Sequence, residues 1–295
     1  MTTAGPAAAP AARRSRGPVA AFRRAMRGAP VSTWFGIVVL VIYVLVALMA
    51  PVLAPFGEAE VVGRQYEPWS DQFVFGTDQI GRDVFSRLIF GARNTVGIAI
   101  VTTLLSFVLG GTVGMLSATI GGWVDQIAGR AVDVLMAIPQ LIFALVLLSI
   151  FGTSAINLIL IIAVLDSTRV YRLSRAVAMN VVVLDFVEAA KLQGESLGRI
   201  VASEVLPNIL PPLVAEFGLR FCFVFLTIAA LSFLGLGIQP PTADWGSMVR
   251  ENATLISYGD ITPLLPASAI ALLTIAVNFV VDWFLHKASG LKDDR

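Results

Sequence analysis

Six stretches of the chain, Trp34 to Ala54, Thr95 to Ala118, Ala131 to Phe151, Ser154 to Tyr171, Ile209 to Phe233 and Leu264 to Leu285, are largely apolar. Each is near the roughly 20 residues that a helix needs to cross about 30 Å of hydrocarbon. Hydrophobic residues make up 57% of the sequence and charged residues only 14%, against roughly 25% charged in a soluble domain. Water is therefore not the main solvent, and the expected fold is all-α and polytopic. The fourth run stops being apolar at Asp166, so its crossing rests partly on parity.

Parity comes from the basic residues. Arg13, Arg14, Arg16, Arg23, Arg24 and Arg27 precede the first run, and Lys287, Lys292 and Arg295 follow the last. Positive charge collects on the cytoplasmic side, which places both ends inside and requires an even number of crossings. Six crossings also put Arg169, Arg172, Arg175, Lys191 and Arg199 inside, against Arg64, Arg82, Arg87, Arg93 and Arg250 outside. The expected organisation is a disordered basic tail over 1–33, a first crossing with its external segment over 34–94, a transmembrane domain over 95–286, and a tail over 287–295. The Ala/Pro/Arg stretch and its long apolar run do not fit a cleaved signal peptide. Its arginines are accounted for by orientation and anionic lipid, with no nucleic acid required.

One island within the apolar chain looks soluble. Asp185 and Glu188 suggest an acidic cap and a reciprocal carboxylate starting a short helix, and Gly194 allows a turn at positive φ. Glu195 or Ser196 then opens a second helix expected to end before Pro207. The pattern Glu188-Ala189-Ala190, Gly194, Leu206-Pro207 resembles the coupling loop of permease subunits of binding-protein-dependent ATP-driven importers. The resemblance assigns those six residues to contact with an ATPase, within a cytoplasmic loop over 176–208. It departs from that family's pattern at Glu204, where an Ile is usual, and the expectation is that Glu204 faces solvent or a basic group on the partner.

Two further runs are similar to the dipeptide, oligopeptide and nickel branch of these importers. One is Phe75 through Leu88, in which Thr77 or Asp78 is expected to cap an amphipathic helix sealing the outer rim or seating a delivery protein. The other is Leu231-Ser232-Phe233-Leu234-Gly235-Leu236-Gly237-Ile238-Gln239-Pro240-Pro241; by resemblance Gly235 and Gly237 contribute to a gate at the outer mouth. The fold implied is that of a type I importer permease with six transmembrane helices.

Isolated charges in apolar runs need partners. Arg130 and Asp133 are three apart on one helix face and Glu216 and Arg220 four apart, which suggests two structural pairs. Asp166 has two readings, a local pair with Arg169 or a lining position in a polar path that attracts a substrate amine or a cation. Gly110 and Gly114 form a small-x-x-x-small face for close helix packing, and Pro139 should bend its helix.

The sequence holds one Cys, Cys222, and one His, His286, which excludes a disulfide framework and a cluster of thiolate or imidazole metal ligands. It contains no Gly-x-x-x-x-Gly-Lys-Ser/Thr loop, so it has no ATPase site of its own. The expectation is a transport subunit, not an enzyme, that binds no cofactor itself. ATP and Mg are expected on two cytoplasmic ATPase subunits. A second, related permease and an extracytoplasmic substrate-binding protein complete the assembly implied by the resemblance, in the bacterial inner membrane. Dipeptides or oligopeptides are the leading cargo; a nickel chelate, glutathione or another small peptide-like solute is the alternative.

Overall fold

The computed structural model describes residues 28–288. The basic stretch with Arg13, Arg14, Arg16, Arg23, Arg24 and Arg27, and the C-terminal Lys292 and Arg295, lie outside the described residues. Within them the chain is helical: α1 Val31–Leu53, α2 Val84–Ile120, α3 Gly122–Met136, α4 Gln140–Phe151, α5 Ala155–Val182, α6 Asp185–Leu192, α7 Leu197–Phe233, α8 Trp245–Asn252 and α9 Leu264–Ala288. The extended pairing among the described residues is limited to two isolated bridges, Val61 to Arg82 and Thr77 to Asp83.

α1, α2, α7 and α9 are each long and apolar enough to cross a membrane, and α3 with α4 makes a fifth crossing if the bent pair is counted as one. By length and composition that accounts for four or five of the six expected. The run from Ala131 to Phe151 is not one straight rod, because the chain breaks at Pro139 and the two helices meet at 86°. Proline supplies no N–H to the ladder and crowds the preceding turn, so a sharp bend there has a local cause. The run expected from Ser154 to Tyr171 is the 28-residue α5, in which Asp166, Arg169 and Arg172 interrupt the apolar stretch.

α2 is 37 residues long, about 55 Å at the helical rise, well beyond the hydrocarbon thickness. It does not begin at Thr77 or Asp78 as expected. Its cap is Asp83, whose carboxylate accepts from the Ser86 N–H at 2.8 Å, and the residues before it form a tight loop. Together these helices make an elongated bundle with two ends. The cap end gathers residues 54–83, 152–154 and 234–263, while the opposite end carries a knob made of α6, the turn at 193–196 and the first residues of α7.

The most extensive helix pair is α2 with α5. Gly110 and Gly114 sit on that seam, where an added Cβ would overlap Ser167 and Tyr171 backbone atoms, the Val170 side chain and the Ser174 hydroxyl. Ser174 Oγ donates to the Gly110 carbonyl at 3.1 Å, a contact that only closely approaching backbones permit. One apolar core, with Leu148, Leu158, Ile162, Phe225, Ile228 and Trp245, fills the bundle toward the cap end. A second, with Met115, Ala178, Val187, Ile200, Val205 and Ile209, lies under the knob.

Candidate functional site

α6 forms because Asp185 and Glu188 stand in its first turn and Lys191 in its last, the arrangement that opposes the helix dipole at both ends. The expected capping box is corrected. The cap position is Leu184, without a side-chain hydrogen bond, so the carboxylates act through the dipole. Val187 is fully buried in the second core beside Ile200 and Val205. Glu188 and Ala189 face outward, and Ala190 and Leu206 pack half-buried against that core.

Gly194 has φ +77° and nothing within 4 Å of an added Cβ. Its N–H bonds to the Lys191 carbonyl at 3.1 Å, and the Glu195 N–H reaches the Ala190 carbonyl at 3.2 Å, closing the helix with a left-handed residue. Between α6 and the start of α7 runs a groove of ≈ 280 Å³ lined by Phe186, Ala189, Ala190, Glu195, Arg199 and Glu204 among others. Glu195 pairs with Arg199 at 3.1 Å. Glu204 is half-buried on the groove wall.

The second helix of the knob does not end before Pro207. It continues as α7 to Phe233, with Pro207 exposed on its surface. The segment Ile200–Val205 immediately before it is π-helical; a widened turn shifts the hydrogen-bond register and absorbs the donor that proline lacks. The exit from the knob is therefore one continuous rod running into a crossing.

Asp166 is 1% exposed on α5. Ser106 Oγ on α2 donates to its Oδ2 at 3.2 Å, and the Arg220 guanidinium on α7 lies 3.8 Å from its Oδ1. Arg220 in turn sits 2.7 Å from Glu216 and over the Phe223 ring, 4.8 Å from its centre. The local pair with Arg169 is corrected, since Arg169 points outward and Arg220 is the closer cation. Two carboxylates share one guanidinium, and the group ties α5 to α7, the two helices on either side of the knob.

Asp133 also finds a partner other than the expected one. It meets Arg172 on α5 at 2.6 Å rather than Arg130, and Arg175 forks onto Asp125 through two nitrogens. Both bonds join α3 to α5.

At the cap end, Gly235 has φ +89° and lies against the Arg250 guanidinium, while Gly237 lies against Ser232. Gln239 donates to the carbonyls of Gly235 and Gly237 at 3.0 and 2.9 Å, and Ser232 Oγ accepts from the Ile238 N–H at 3.1 Å. The turn is closed on itself. Beside it stands a group that the sequence reading missed. Asp78 meets Arg82 at 2.6 Å and Arg87 at 3.4 Å, and Glu251 meets the same two arginines at 3.0 and 3.2 Å. The four-residue spacing of Asp78 and Arg82 is the available signal, but the expected cap role assigns Asp78 to a helix start that lies instead at Val84. Asp244, the cap of α8, accepts from Ser247 N–H and from Thr95 Oγ1, each at 2.8 Å; burial pushes its carboxyl up despite those bonds. Among the described residues no group of three His, Cys, Asp or Glu could hold a metal ion.

Residues 110–287, which include the whole knob, match the family described as binding-protein-dependent transport system inner membrane component. The dipeptide transport system permease protein DppC of Alkalihalophilus pseudofirmus is 32% identical over 260 residues, 88% of this chain and 83% of that protein. The protein of the same name from Haemophilus influenzae is 34% identical, covering 88% of each. The di/tripeptide transport system permease protein DppC of Pseudomonas aeruginosa is 33% identical over 88% of this chain and 85% of its own. In backbone shape the chain is similar to an amino acid ABC transporter crystallised with histidines, at TM-score 0.51 and 16% identity, over 69% of this chain and 94% of that one.

Proposed function

The chain belongs to the family of binding-protein-dependent transport system inner membrane components, and from that premise we propose that it forms half of the path by which an ATP-driven importer brings in dipeptides or oligopeptides. It is a transport subunit and not an enzyme. The observation that carries the coupling role is the knob: Glu188 and Ala189 are presented outward, while Val187, Ile200 and Val205 are buried in the core beneath them. A push on α6 reaches α7 through Val187, packed in one core with Ile200 and Val205, and the Asp166–Arg220–Glu216 group ties α7 to α5. α7 carries it directly, because its helix runs unbroken from Leu197 to Phe233.

In this reading α5 is the sixth crossing, its charges held by α2, α3 and α7 rather than by lipid. Both ends of the chain and the knob then face the cytoplasm, following the basic residues. Two ATPase subunits carrying ATP and Mg grip Glu188, Ala189, Ala190 and Gly194 from that side, and Leu206 and Pro207 set the stiff exit. A related permease supplies the other half of the path, and a binding protein delivers cargo at the cap end, where Gly235 and Gly237 shape the mouth. An enclosed route is required because the unpaired charges and peptide groups of a zwitterion cost several kcal/mol or more to bury in hydrocarbon. The peptide cargo is supported by the names of the three permeases above.

The reading is tested by placing a cysteine at Ala190 and cross-linking in the assembled complex. An adduct with the ATPase is expected, and labelling of that cysteine from outside the cell overturns the topology. Mass spectrometry of ligand retained by the partner binding protein should reveal a pool of short peptides. A single metal chelate there would move the chain to the alternative cargo.

A further inference from the structure

The bend at Pro139 sets α3 across the bundle instead of along it. α4 runs back beside α5 from the turn at 152–154, and α3 leaves it at 86°. Asp125 and Asp133, about two turns apart on α3, bond to Arg175 and Arg172, less than one turn apart on α5, which again requires an oblique crossing. Within the bent pair that makes one crossing, α4 supplies the depth and α3, perpendicular to it, lies near the membrane plane at the inner boundary. Its sides are divided to match. Trp123, Ile127 and Val134 are 73%, 55% and 68% exposed, with the exposed Arg130 between Ile127 and Val134 on the same side, while Asp125, Gly129 and Asp133, four apart, make a row toward α5. Such a helix sits at the boundary between headgroups and acyl chains.

In the angle between α3 and α5 is a cavity of ≈ 490 Å³ lined by Asp125, Arg130, Asp133, Tyr171, Arg172 and Arg175 among others. Three guanidinium groups face two carboxylates, and both carboxylates are already engaged by Arg172 and Arg175. Arg130 is left with no carboxylate in ion-pair range among the described residues. The second orphan is Tyr171, only 3% exposed, whose hydroxyl has no hydrogen-bond partner and approaches Gly129 on the cavity wall. A buried hydroxyl without a partner is uncommon and asks for one.

We propose that this cavity binds a phosphate group, held by the Arg130 guanidinium and the Tyr171 hydroxyl. A guanidinium presents a fork of N–H donors that matches a phosphate, and the hydroxyl adds a third donor from the buried side. The place of α3 favours the phosphate of an anionic lipid headgroup, with the acyl chains beside Trp123 and Ile127. The knob end is the cytoplasmic leaflet in the orientation above, where anionic lipids collect. What the path transports does not enter the argument.

The test uses the full chain in its complex, in nanodiscs containing equal phosphatidylglycerol and phosphatidylcholine, with retained lipid read by native mass spectrometry. Phosphatidylglycerol should be retained in preference. Arg130→Gln should cut that retention by about tenfold, the scale of one lost charged hydrogen bond, and Tyr171→Phe by a smaller factor. Arg130→Lys keeps the charge without the fork and should recover part of it, whereas Arg64→Gln at the cap end should change nothing. A second arm titrates inorganic phosphate into lipid-stripped complex and reads binding by isothermal titration calorimetry. Saturable binding there without lipid preference keeps the phosphate site and assigns it to a soluble ligand. Absence of both, or a lipid preference that neither Arg130→Gln nor Tyr171→Phe alters, overturns the proposal.

Discussion

At the cap end Asp78, Arg82, Arg87 and Glu251 are each 4% exposed or less, whereas at the knob end Arg172 and Asp133 are 54% and 64% exposed and Arg199 is 69%. The same chemistry of Arg with carboxylate is used in two ways. Charges removed from water at the cap end must be matched, since an uncompensated one is costly, and there they fix loops that sequence distance keeps apart. Arg172, Asp133 and Arg199 at the knob end stay largely hydrated and contribute little to holding the bundle. The apolar residues follow the same division. Trp245 is 2% exposed in the cap-end core, with its indole N–H on the Leu88 carbonyl at 2.9 Å, while Leu192 beside Gly194 is 83% exposed. One end is closed by its own residues, and the other leaves charged and apolar side chains exposed.

The sharpest break in that comparison should come from Arg82→Met. Asp78 and Glu251 would lose their shortest cation contacts, 2.6 and 3.0 Å, and removing one member of a buried ionic group costs about 3–5 kcal/mol. Thermal unfolding of the purified complex in detergent should show the loss. A drop no larger than that of a knob-end charge variant would remove the distinction between the ends.

Between the two ends, Gly114→Leu tests the seam that joins them. An added side chain overlaps the Ser174 hydroxyl and the Tyr171 carbonyl on α5, and overpacking of this kind costs roughly 1–3 kcal/mol. Gly111, next but one along the same helix from Leu109, has nothing within 4 Å of an added Cβ. Gly111→Ala should therefore leave the unfolding midpoint unchanged or raised, and a loss equal to that of Gly114→Leu would show that the seam is not the cause.

The features legible in the sequence were those governed by local rules. Lipid demands helices of a certain length, so the apolar runs located α1, α2, α7 and α9 to within a few residues at most ends; α2 exceeded its run because Val84 through Asn94 is helical under the cap-end loops. Gly110 with Gly114 and Gly194 were legible because a missing Cβ has one physical use at each place. Pairings of charge were not. Asp133 chose Arg172 over Arg130, and Asp166 chose Arg220 over Arg169, because helix packing brought a distant guanidinium closer than the neighbour in sequence. Asp78 could not cap a helix once Arg82, Arg87 and the Ile80 N–H had claimed its oxygens. At Pro207 the local rule was overridden, since the π-helical turn at Ile200–Val205 let the helix continue.

The smallest effect belongs to Asp133 and Arg172, and it sharpens the comparison because the bond is short. At 2.6 Å the pair equals the Asp78–Arg82 distance at the cap end, so distance alone predicts equal contributions. Exposure predicts otherwise. In water the Coulomb gain is screened, and ordering two long side chains offsets much of what is left, so exposed pairs contribute about 0.2–1 kcal/mol. A double-mutant cycle with Asp133→Asn and Arg172→Gln, read by the unfolding midpoint, should give a coupling at the low end of that range, and added salt should weaken it further. A coupling as large as the cap-end loss would mean that a partner or lipid removes this pair from water in the assembled complex. The knob end would then be closed by what docks there rather than left open.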